Sequence, residues 1–228
     1  MTQKPRKKRQ TKTSSKQRAK VATKKQRHIR NLYMTRSDRL VFGGVLVFVI
    51  ATLLTRPEEA SAFEAAIFSF FYVETGFLIP IFFVLTQLGS VYFFATLALL
   101  YLFLKNYLIV LRLLMAGSLA YLLSGVSKDL FGRGRPDELF DNIIYHDLMV
   151  RGPGYPSGHT AMAVALGVVL YNHTPKRWHP LIIAVTILAG ISRMVLGVHT
   201  PLDIVGGAAI GWISAMLFRH VELRNRTF

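Results

Sequence analysis

Apolar residues in this chain gather into long runs instead of recurring at a strict helical or strand period. The runs cover about 40–55, 77–104, 107–127, 158–172, 180–198 and 202–218, with short polar stretches between them. A helix that crosses a bilayer needs about 20 mostly apolar residues, and shorter runs suffice where flanking Arg and Lys reach the interface. The first run lies between Arg39 and Arg56. The second is interrupted by Gln87, Gly89 and Ser90, which places its spanning part at 89–104 and leaves 62–88 as one or two interfacial helices. The pattern predicts an all-α protein: a six-transmembrane-helix bundle with short extracytoplasmic interfacial helices.

Composition sharpens this picture by conflicting with it at first sight. The 228 residues include 28 Lys and Arg against 12 Asp and Glu, a formal net charge of +16, yet 52% are hydrophobic. The mean hydropathy is +0.37. Charge and apolar content are segregated: residues 1–38 hold 14 of the basic residues and a single acid, Asp38, for a local charge of +13. Such a segment cannot bury enough apolar surface to offset its ordering entropy, so a disordered polybasic tail is expected over 1–38. A membrane domain follows over 39–220 and a short cytoplasmic tail over 221–228. Beside a membrane span, the basic tail is expected to meet anionic lipid headgroups, each Lys or Arg contributing roughly 1 kcal/mol. Nucleic acid is not expected as its partner. The chain has no Cys, which excludes disulfides and thiolate metal sites. A cleavable leader ending at Ala60-Ser61-Ala62 is the competing reading of the N-terminal region, and Glu58 and Glu59 in the cleavage region argue against it.

Positive charge also orients the bundle. With the tail inside, the internal connections are Lys105-Asn106 and Asn172–His179, and the C-terminal end carries Arg219, Arg224 and Arg226. The external segments 56–88, 128–157 and 199–201 hold most of the acids. This satisfies the positive-inside rule with both termini in the cytoplasm.

Charged groups beside membrane spans are costly and by default mark function. Three clusters of chemistry-bearing residues fall at external helix ends: Lys128 with Arg135-Pro136, Pro156-Ser157-Gly158-His159, and Ser192-Arg193 with His199 and Asp203. Arg offers a planar fork to phosphate oxygens and Lys a point charge, although both could simply be positive residues at a helix end. Ser157 is a good helix N-cap, and Gly158 lets a ligand approach the open backbone amides of the helix start, an anion site by construction. An ordinary capped helix with a surface His159 is the alternative there. His199 and Asp203 stand four apart, near enough for the carboxylate to hold one imidazole nitrogen and leave the other free to attack. Other histidines are poorer candidates. His28 is in the tail, His173, His179 and His220 are on the cytoplasmic side, and His146 is in an external loop. Gly207 and Gly211 form a small-xxx-small pair that is expected to serve close packing within the bundle, with dimerisation as the alternative.

Together, Lys128-x6-Arg135-Pro136, Pro156-Ser157-Gly158-His159 and Ser192-Arg193-x5-His199-x3-Asp203 resemble the three-part signature of the type 2 phosphatidic acid phosphatase superfamily. That superfamily includes bacterial lipid phosphatases and, more distantly, vanadium haloperoxidases. The resemblance covers about 40–220 and implies a role for each residue. His199 attacks phosphorus, Asp203 orients it, and His159 is the general acid and then the general base. Lys128, Arg135 and Arg193 hold the phosphoryl oxygens, helped by Ser157 and the Gly158 amide. It implies no metal and no cofactor.

A phosphate site at the outer membrane face implies a lipid phosphate substrate. Undecaprenyl diphosphate is the first expectation, with phosphatidylglycerophosphate and phosphatidic acid as alternatives and lipid phosphotransfer as a further one. A non-catalytic membrane scaffold with a lipid- or nucleic-acid-binding tail is the reading from a different class. A transporter is disfavoured because no span carries a mid-membrane acid. The oligomeric state is left open.

Overall fold

The computed structural model describes residues 36–225 apart from 57, 75 and 149, so residues 1–35 of the expected basic tail lie outside the described residues, while 36–38 open the first helix. The chain divides into two units, Met1–Arg39 and Leu40–Phe228, and the second carries the architecture described here. Every element among the described residues is helical. In chain order these are α1 (Arg36–Leu54), α2 (Ala62–Ser69), α3 (Ile79–Thr86), α4 (Val91–Phe103), α5 (Tyr107–Phe131), α6 (Pro136–Leu139), α7 (Gly158–His173), α8 (His179–Val195) and α9 (Pro201–Asn225). A π-helical turn at Phe70–Glu74 extends α2.

Polar residues between the apolar runs set the boundaries. The side chains of Ser61, Ser90 and Asn106 accept backbone N–H bonds from Glu64, Phe93 and Ile109, capping α2, α4 and α5. Helix α5 ends at Gly132, whose φ of 56° reverses the chain in a conformation that only glycine adopts without strain. Three helical segments among the described residues are long and apolar enough to span a membrane: Tyr107–Leu139, Lys176–Val195 and Pro201–Arg219. Ile79–Gly89 and Val91–Phe103 meet at 57° and qualify together as a single broken span. The break falls at the polar interruption, but residues 79–86 are helical and pack against α8, which draws part of the expected interfacial segment into the bundle. The last helix continues to Asn225, past the expected boundary at 220.

The centre of the bundle is α7, which packs against α5, α8 and α9. Its composition explains the placement, because Ala161, Ala163, Ala165 and Gly167 are small enough to be buried against neighbouring backbones. A Cβ at Gly207 would overlap the Ser157 carbonyl, and one at Gly211 the Ala161 carbonyl. The pair therefore serves close approach of α9 to α7. Outward-facing apolar side chains stay exposed, such as Leu53 at 79% and Phe103 at 85%. Those faces suit a lipid solvent better than water.

Candidate active site

The chain leaves α8 through Gly197, whose φ is 75°, and enters α9 at Pro201. In this short connection the backbone N–H groups of Val198 and His199 both donate to the Arg193 carbonyl, at 3.0 and 3.2 Å. That fixes His199 over the first turn of α9. Its Nδ1 lies 3.2 Å from Asp203 Oδ2, which also accepts the Thr200 N–H at 2.9 Å. With Nδ1 engaged by the carboxylate, Nε2 is the nitrogen left to react. His199 is buried, and burial is the main reason its pKa lies well below the ordinary histidine value. Lys128, Arg135, Arg193 and His159 add to the depression. The imidazole is therefore neutral, and hence nucleophilic, at neutral pH.

The other predicted residues converge on the same end. Lys128, Arg135, Gly158, His159, Arg193 and His199 line one cavity of about 470 Å³, whose remaining wall includes Val91, Tyr121, Leu122 and Val126. The lining thus combines cationic and apolar side chains, a composition suited to an amphiphile with an anionic head. Lys128 Nζ donates to the carbonyls of Pro153 and Gly154. Arg135 donates to the carbonyls of Gly152, Val198 and Arg151 at 2.7, 3.0 and 2.8 Å. Both cations hold the 151–154 segment in place while facing the cavity. Arg193 is different: its Nε is buried without a partner, a donor left for a ligand.

Ser157 does not line this cavity. It is completely buried, and its Oγ accepts from the Thr160 N–H at 3.4 Å and the Thr160 hydroxyl at 3.0 Å, so it acts as the N-cap of α7. Its own N–H donates to the Asp203 carbonyl at 2.9 Å, tying the start of α7 to α9. Gly158 and His159 do reach the cavity from that helix start.

Four partners were not anticipated. Arg133, 1% exposed, donates to Asp203 Oδ1 at 3.2 Å, to Thr200 Oγ1 at 2.8 Å and through both terminal nitrogens to Glu64 at 2.8 and 3.0 Å. Glu64, in α2, is 3% exposed and also accepts the Leu202 N–H at 3.3 Å. Asp147, in the loop before α7, accepts from Arg193 at 2.6 Å. Thr86, at the end of α3, takes the same guanidinium at 2.5 Å. Burial alone would raise the Asp147 carboxyl, but the Arg193 guanidinium outweighs it and holds its pKa below the ordinary value. A signal for Glu64 was present in the sequence, since it is a lone acid in the apolar stretch AFEAAIFS. His146 is fastened away from the cavity, its N–H donating to the Leu196 carbonyl and its ring stacked on Tyr72.

Residues 107–227, which contain all three predicted clusters, match the PAP2 superfamily. The chain belongs to that superfamily. Among the proteins it is similar to, the undecaprenyl-diphosphatase of Sulfolobus acidocaldarius is 32% identical over 130 residues, 56% of this chain and 61% of that protein. The bacitracin transport permease protein BcrC of Bacillus licheniformis is 31% identical over 116 residues, 49% of this chain and 55% of that protein. This chain therefore spans roughly half to three fifths of the length of these relatives. The crystal structure of Aquifex aeolicus LpxE matches with a TM-score of 0.65 and 27% identity, over 70% of this chain and 96% of that one. A PAP2-type phosphatidylglycerolphosphate phosphatase from Bacillus subtilis has the same fold, with a TM-score of 0.65 at 23% identity over 81% of this chain and 96% of that one. Glu64 lies outside the matched residues.

Proposed function

We propose that this protein is an integral membrane lipid phosphatase that removes the terminal phosphate of undecaprenyl diphosphate at the outer membrane face. The observation that carries the reading is the pairing of His199 with Asp203 in a cavity that Lys128, Arg135, His159 and Arg193 also line. In the proposed sequence, Nε2 of His199 attacks the terminal phosphorus, forming a P–N bond as the bond to the leaving oxygen breaks. His159 gives that oxygen its proton. Water then attacks the phosphohistidine, His159 takes the water's proton, and inorganic phosphate and neutral His199 are released. The three cations neutralise the equatorial oxygens, and losing one such contact typically costs ~10²–10³ in rate.

The choice of substrate is supported by the apolar wall of the cavity and by the Sulfolobus relative's name. It is supported also by the positive-inside reading, in which six spans keep both termini cytoplasmic and set the cavity outside. A polyprenyl diphosphate released at the outer face would meet it there. The test is phosphate release in detergent with EDTA present, comparing undecaprenyl diphosphate, phosphatidylglycerophosphate and phosphatidic acid, with His199→Ala as control. Release fastest from undecaprenyl diphosphate and lost in the variant is expected. Faster release from a glycerolipid would reassign the substrate, and no release from any lipid would overturn the phosphatase reading.

A further inference from the structure

Beneath the His199–Asp203 pair lies a buried charge relay that the phosphatase chemistry above does not use. Asp203 is fully buried and offers two oxygens: Oδ2 to His199 and the Thr200 N–H, Oδ1 to Arg133. Arg133 in turn gives a two-pronged contact to Glu64. Burying three charges is expensive, and a buried ion pair often does no better for stability than apolar residues of the same size. Stability alone is thus a weak reason for this network.

Its charge count supplies a better one. Asp203 with Arg133 alone is neutral, and a neutral pair would do little to stabilise the positive charge that His199 acquires in attacking phosphorus. Glu64 returns the cluster to a net −1. The charged and titratable groups around His199 from the other elements are Lys128, Arg135, Arg193 and His159. Asp147 stands there too but is paired with Arg193 at 2.6 Å, so the carboxylate charge in direct contact with the imidazole is that of this cluster. Glu64 reaches it from outside the segment that carries the predicted signature, through α2. It also accepts the Leu202 N–H, which ties α2 to the first turn of α9.

We infer that Glu64, acting through Arg133, is a positioning and charge-setting residue for the His199–Asp203 pair. This rests on the phosphatase reading. Wild type and His199→Ala are therefore assayed first: an inactive wild type would sink that reading, whereas the relay is judged only against an active one. Glu64→Gln keeps the shape of the contacts and removes the charge. It is expected to lower kcat about tenfold or more, as loss of an outer partner of a functional imidazole typically does, with KM nearly unchanged. Glu64→Gln/Arg133→Gln restores the net −1 and is expected to be faster than Glu64→Gln alone, a departure from additivity that lost packing would not produce. Glu64→Asp keeps the charge and is expected to retain kcat within a few-fold, while Glu64→Ala, which loses it, is expected to fall about tenfold or more, so the pair decides the matter even where Glu64→Gln fails to fold. A Glu64→Gln enzyme with unchanged kcat, a double variant no faster than the single, or a Glu64→Asp enzyme as slow as Glu64→Ala would each overturn the inference.

Discussion

Asp203 and Asp147 each meet an arginine at the same end of the bundle, yet the two pairs are built differently. Asp203 is fully buried on a helix, and both of its oxygens are engaged, one by Arg133 and the other by His199 and the Thr200 N–H. Asp147 sits in the loop before α7 and reaches Arg193 with one oxygen, while Arg193 keeps a buried Nε unpaired. The first arrangement has no free valence and holds the imidazole proposed as the nucleophile. The second leaves a buried donor of the guanidinium open. In the proposed reaction a phosphoryl group would compete with Asp147 for Arg193, whereas Asp203 would keep its partners.

The largest expected break in this contrast comes from Asp203→Asn. An amide has a single accepting oxygen, and with Arg133 holding it the NH2 group faces His199 Nδ1 and favours the wrong imidazole tautomer. A loss on the order of 10⁴ in kcat is expected, by analogy with the orienting acid of Ser-His-Asp triads, read by steady-state kinetics. Equal kcat in the variant would show that the pairing is incidental. Next comes pH. Since the His199 pKa is depressed by burial and then by Lys128, Arg135 and Arg193, the acid limb of the kcat profile is expected below the usual histidine value of about 6.5. The same depression makes folding weaken as pH falls below about 6.5, because the unfolded chain takes up a proton that the folded His199 refuses. An acid limb above that value would mean the imidazole is held protonated instead. The smallest effect is that of Asp147→Asn. Freeing Arg193 from its competitor is expected to lower KM by a few-fold, with kcat little changed. A large rise in KM would assign Asp147 to substrate binding.

The same contrast explains what could be read from the sequence. Lys128, Arg135, His159, Arg193, His199 and Asp203 were legible because each sits at a helix end among apolar runs, within a few residues of its companions. The break at Gln87–Ser90 was legible for the same local reason. Glu64 meets residues 69 and 138 positions away, and Arg193 meets Thr86 across 107, so those contacts depend on how helices pack. Arg133 carried no such local signal, yet its burial and its contacts to Glu64, Thr200 and Asp203 make it the centre of the polar network. Ser157 had two readings on sequence, cap and phosphate contact, and its placement beside Thr160 is that of the cap.

The claim on which the rest depends is that His199 becomes covalently phosphorylated. Rapid quenching of the enzyme with a lipid substrate labelled in its terminal phosphate tests it directly. The account predicts a base-stable, acid-labile label that maps to His199, appears before free phosphate and is absent in His199→Ala. Phosphate released with no labelled enzyme at any time, or label persisting in His199→Ala, would contradict it.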